Sequence, residues 1–137
     1  MDLRYWEPQR QALAMQYRFM AYTLRYHGTA PWPDAGQHYS VATHAADLTA
    51  FIRRLNAGPV HLVGLSSGGW LATLVALESP DLVRSLAVLE PPIDELLADL
   101  PAAQPVRAEL GKAFAPIRTA AHAGEAIQAA QLFFELA

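Results

Sequence analysis

The chain has 137 residues, no cysteine, a formal net charge of −3 and 53% hydrophobic residues. That length suits one small globular domain; the missing cysteines exclude disulfides, thiolate chemistry and cysteine metal sites, and the charge gives no broad attraction to nucleic acid or to an acidic membrane. No apolar run approaches the about 20 residues of a membrane-spanning helix, and Asp2, Arg4, Glu7 and Arg10 stand where a signal peptide needs apolar residues, so a cytoplasmic location without membrane association is expected.

In chain order, Trp6 to Gln16 reads as a helix with Pro8 near its first turn, where a missing N–H costs little. Tyr17 to Thr23 has strand composition, and Leu24 to Tyr39 is a loop punctuated by Gly28, Pro31, Pro33 and Gly36. Ser40 then caps a helix whose apolar positions Val41, Ala45, Leu48, Ile52 and Leu55 follow helical spacing until Gly58-Pro59 stops it. Val60 to Val63 is a short apolar strand, followed by a helix through Trp70, Leu71, Leu74, Val75 and Leu77 to the break at Ser79-Pro80. Leu86 to Leu89 is another apolar strand, ending at Glu90-Pro91-Pro92. Beyond it, Asp94–Leu100, Pro105–Phe114 and Gly124–Leu136 read as helices in an Ala-rich stretch. Apolar strands alternating with helices predict an α/β fold, with a parallel sheet and helices on both faces.

Between the second strand and its helix stands Gly64-Leu65-Ser66-Ser67-Gly68, the G-x-S-x-G pattern of a nucleophile elbow. Such a pentapeptide arises by chance in roughly one chain in twenty of this size. Its context, an apolar strand before and a helix after, is what the chemistry requires. A Ser on a sharp strand-to-helix turn is presented for attack, which predicts a positive φ at Ser66 and side-chain-free neighbours at Gly64 and Gly68. Among the histidines, His61 starts its strand and lies too far from Ser66 at about 3.3 Å of rise per residue. His38 and His44 flank a helix start and read as surface or capping residues, and His122 precedes Gly124 between helices. No H-E-x-x-H or comparable spacing points to a metal, and none of these patterns requires a cofactor. Trp32 and Trp70 could line an apolar acyl pocket, although core packing is the simpler reading.

RYWEPQ at 4–9, LRYHG at 24–28, GPVHLVGLSSGG at 58–69 and SPDLVRSLAVLEPP at 79–92 together resemble the α/β-hydrolase fold superfamily, in order as well as in motif. The resemblance implies a partial α/β-hydrolase core over residues 1–92, with Tyr17–Thr23, Val60–Val63 and Leu86–Leu89 as the fourth, fifth and sixth of about eight family strands. It makes residues 93–137 a helical cap segment. It also implies Ser66 as nucleophile and the Ser67 backbone N–H as one donor of the oxyanion hole. The family's third strand with the other oxyanion donor, its usual acid and its catalytic His have no counterpart here, so a fragment is expected. Glu90 stands just past the sixth strand, where some members carry the triad acid. His27 could be mistaken for the His-Gly of an oxyanion loop, yet it follows the fourth strand, where the family carries an R-x-x-G turn.

The activity expected of a full-length parent is serine-dependent hydrolysis of a small apolar ester, thioester or lactone, since Ser in place of Asp argues against the epoxide hydrolase and haloalkane dehalogenase branches. A catalytically silent fragment or binding module, and a non-hydrolytic member such as a lyase or cofactor-free haloperoxidase, remain open alternatives.

Overall fold

The computed structural model describes residues 2–32, 34–92 and 94–136. They form two compact units, Met1–Pro91 and Pro92–Ala137.

The first unit opens with a 3-10 turn, Leu3–Trp6, that runs into helix α1, Glu7–Leu13, with Pro8 in its first turn. Helix α2, Val41–Leu55, starts where Ser40 takes extended backbone and its side chain accepts from the Thr43 N–H, and it ends at Asn56 in the left-handed region. Strand β1, Val60–Leu65, helix α3, Ser67–Glu78, and strand β2, Val83–Leu89, complete the unit. The two strands pair in parallel, Leu62 facing Leu86 and Leu65 facing Leu89, with a register shift after Val60. This is the βαβ arrangement expected from the apolar runs. Both strands are longer than their most apolar cores because the ladder carries on through Gly64 and Leu65 in β1 and through Val83 and Ser85 in β2, with Arg84 left out at the register shift.

The core forms where α2 and α3 meet. Ala45, Leu48 and Ile52 of α2 pack with Leu71 and Val75 of α3, and Val60, Leu62 and Val83 of the sheet close against them. Val75 is fully enclosed. Cover over the sheet is uneven: on the opposite face Val63 is 51% and Leu89 46% exposed, with the Tyr17 ring laid edge-on against His61.

Tyr17–Thr23 corrects the reading above, since it forms no strand. Extended backbone becomes a strand only with a ladder partner, and the described sheet consists of β1 and β2 alone. Side chains hold the segment instead: Tyr22 stacks on Phe51 at 4.9 Å, and Tyr22 and Leu24 pack against the core. The first helix is also shorter than expected, giving way to turns after Leu13.

In the second unit, the helix expected over Asp94–Leu100 is only a 3-10 turn, Asp94–Leu97, and a second 3-10 turn, Pro101–Ala103, follows it. Helix α4 spans Gln104–His122 and passes through Pro116, where the sequence suggested a stop near Phe114. A proline inside a helix forfeits one backbone bond. Packing offsets that loss, because Phe114 meets Phe133 of helix α5, Ala126–Leu136, and Ala120 is buried.

Candidate active site

Ser66 is the single residue between the last of β1 and the first of α3, with φ 53° and ψ −127°. Positive φ there is what the motif predicted. For a side-chain-bearing residue this conformation costs about 1–3 kcal/mol, so the surroundings must hold it. They do so through backbone. The Ser66 N–H donates to the carbonyl of Leu89 at 2.9 Å, tying the turn to the end of β2, and the Ser66 carbonyl accepts from Gly69 at 2.9 Å and Trp70 at 3.2 Å.

Two glycines make the turn possible, and one of them differs from expectation. A Cβ on Gly64 would lie 2.4 Å from the Gly68 carbonyl oxygen, an overlap with backbone that nothing can relieve cheaply. A Cβ on Gly68 would meet nothing within 4 Å, whereas on Gly69 it would crowd the Gly64 oxygen and a Val88 methyl, both at 3.0 Å. The close approach therefore runs between Gly64 and the Gly68-Gly69 backbone, and the second position that must stay bare is Gly69. The doubled glycine at 68–69 was the sequence signal for it.

The Ser66 side chain is exposed, and its Oγ has no hydrogen-bond partner among the described residues. Ser67 opens α3, so its N–H points out of the first turn with no intrahelical acceptor, a geometry suited to receiving a developing negative charge. Glu90 directly follows Leu89, whose carbonyl pins Ser66, and it too takes a positive φ of 46°. Its carboxylate is exposed and bonds neither a histidine nor Ser66 among the described residues.

The histidines of the first unit are engaged elsewhere. His61 Nδ1 meets Ser85 Oγ across the ladder at 2.7 Å, and His38 Nδ1 meets Asp34 at 2.6 Å. His27 bonds the Arg25 carbonyl at 3.0 Å and stacks on Tyr39. His44, read from sequence as a surface or capping residue, is buried. Its pKa lies below the ordinary imidazole value, first because of burial and next because of the positive charge His27 can carry. It belongs to an aromatic group with Tyr26, Trp32 and Tyr39. The Tyr26 hydroxyl donates to Asp34, which with further bonds from His38 and the Gly36 N–H holds that carboxyl down at about 2. Arg25 forks onto Asp47 of α2 at 2.7 and 2.6 Å. His122 ends α4 in the second unit. Among the described residues no three His, Asp or Glu side chains gather as metal ligands.

A parallel βαβ unit with a strained serine at its strand-to-helix turn defines a class, and the sequence places the chain within it. Residues 2–121 match the α/β hydrolase fold model, and the chain belongs to that family. It is 36% identical over 92 residues to fluoroacetate dehalogenase from a Burkholderia species, covering 65% of this chain and 30% of that one. It is 33% identical over 84 residues to 2-(acetamidomethylene)succinate hydrolase of Mesorhizobium japonicum, covering 61% and 30%. Among solved structures it is similar in fold to the "putative non-heme bromoperoxidase BpoC" of Mycobacterium tuberculosis, with a TM-score of 0.57, 23% identity, and coverage of 80% of this chain and 47% of that one. The chain thus spans about a third of the length of the curated relatives it matches. No described helix is long and apolar enough to cross a membrane.

Proposed function

We propose that this chain carries the nucleophile segment of a serine hydrolase acting on a small apolar ester, thioester or lactone. The observation that carries the reading is the backbone of Ser66, φ 53° and ψ −127° between β1 and α3, a costly conformation for a residue with a side chain, held at the strand-to-helix turn where the G-x-S-x-G pattern places a nucleophile. In the proposed reaction the Ser66 Oγ attacks the acyl carbon while a base takes its proton. The Ser67 N–H, with a second donor, stabilises the oxyanion; collapse expels the alcohol or thiol, and water then releases the acid. Neither the base nor the second donor is assigned within these residues. Glu90, at the end of β2, is the candidate acid to orient the base.

A hydroxyl nucleophile also bears on the dehalogenase-like identity. Displacement at an alkyl carbon is served by a carboxylate nucleophile whose ester water can later cleave, and Ser66 supplies an alkoxide suited to acyl transfer. Fluoroacetate dehalogenation is therefore not the reaction proposed here. In a hydrolase of this kind, losing the serine costs about six orders of magnitude in kcat. For the 137-residue chain itself, with no described histidine of the first unit bonded to Ser66, turnover of an activated short-chain ester should not exceed that of Ser66→Ala at matched soluble concentration. His27→Ala belongs in the same assay. Turnover by the wild-type chain that both substitutions abolish would make His27 the base and contradict this division of the machinery.

A further inference from the structure

The aromatic group beside the start of α2 shares no hydrogen bond with Ser66 among the described residues, and at its centre lies a histidine without polar company. His44 is 4% exposed, and neither of its ring nitrogens meets a hydrogen-bond partner among the described residues. Its ring stands edge-on to Tyr39, His27 and Tyr26, with centroids 5.2, 5.7 and 6.1 Å away. An imidazole in that position fills space as an aromatic ring does. A proton on it would need acceptors for two N–H groups, and the cluster presents ring faces and edges.

The charged groups around it are already committed. From the turn after Leu24 come Arg25, Tyr26 and His27; from residues 34–39 come Asp34, His38 and Tyr39; from α2 itself comes Asp47. Asp47 is forked by Arg25, and Asp34 is held by the Tyr26 hydroxyl and by His38. Neither carboxylate bonds His44, and the second imidazole beside it, His27, is itself bonded to the Arg25 carbonyl.

We propose that His44 is an acid-released latch: neutral, it plugs the space between α2 and residues 25–39, and once protonated it leaves for water, so that 25–39 opens while the core of α2, α3 and the sheet stays folded. The direction of the pH effect follows from linkage. Burial and the His27 charge depress the proton affinity of His44 in the closed arrangement, so the open arrangement takes the proton first. The latch is fully closed above the ordinary imidazole value of about 6.5 and weakens as pH falls through the range below it, by at most about tenfold per pH unit for one proton. Asp34, held at about 2, stays charged throughout this window and cannot produce the effect.

Amide hydrogen exchange of the 137-residue chain, read by mass spectrometry at pH 7.5 and pH 5.0 and corrected for intrinsic rates, tests this. Peptides spanning 24–40 should lose roughly tenfold in protection at pH 5.0 while those spanning 67–78 hold theirs. His44→Phe, which keeps the ring and removes the titration, should leave 24–40 equally protected at both pH values, and His27→Gln should shrink the loss. Unchanged wild-type protection, or a full acid response in His44→Phe, overturns the proposal. Should His44→Phe fail to fold, the NMR titration of the wild-type His44 ring decides: a midpoint below the ordinary imidazole value supports the latch, and one at or above it refutes it.

Discussion

Two stretches of the first unit that the sequence reads as strand-bearing come out differently. At Val60–Glu78 the chain holds a serine in a disfavoured conformation, and each backbone group that holds it is paired: Ser66 with Leu89, Gly69 and Trp70 with Ser66. At Tyr17–Thr23 a residue run with strand composition forms no regular element and joins no described sheet. The difference teaches that local strain is tolerable where neighbouring elements satisfy the hydrogen bonds around it, while good local propensity yields no strand without a partner.

The largest effect should come from Gly64→Ala. Its new Cβ would sit 2.4 Å from the Gly68 carbonyl oxygen, so either the elbow or the packing of α3 on β1 must give. We expect a loss of about 3 kcal/mol or more in unfolding free energy, seen as a collapse of the thermal transition. A mild effect would mean that the close approach of strand and helix is not what holds the turn.

Gly69→Ala and Gly68→Ala sharpen the same point from the other side. Contacts at 3.0 Å with the Gly64 oxygen and Val88 should make the first cost about 1–2 kcal/mol. The second, with open space around its Cβ and a helical position to fill, should be neutral or stabilising by up to about 1 kcal/mol. Chemical denaturation of both variants measures the contrast; equal costs would restore Gly68 to the role the spacing of the motif suggested.

The strand-helix-strand order was legible because near-continuous apolar runs bounded by Gly-Pro and Ser-Pro have few alternatives. The bond from Ser66 to Leu89 was not, since those residues meet only once the parallel register is set. G-x-S-x-G names Gly64 and Gly68 by spacing alone, and only the approach of backbone to backbone reveals that Gly69 is the second tight position. His44 is hard to place for a different reason: a polar residue near a helix start ordinarily suits the surface. It stands four residues before Leu48 and eight before Ile52, on the buried face, and that periodicity was there to be used. Tyr17–Thr23 failed as a strand because strand composition describes a half-buried pleated surface, which needs a neighbour to exist.

The central claim is that the elbow stores backbone strain at Ser66, and the most direct measurement is the unfolding free energy of Ser66→Gly beside Ser67→Gly. Glycine takes positive φ without penalty, so Ser66→Gly should raise stability by about 1 kcal/mol after its greater chain entropy is subtracted, whereas Ser67→Gly, in the first turn of α3, should lower it by up to about 1 kcal/mol. Equal losses in the two variants would contradict the account, because they would show that Ser66 bears no strain for the neighbouring backbone to hold.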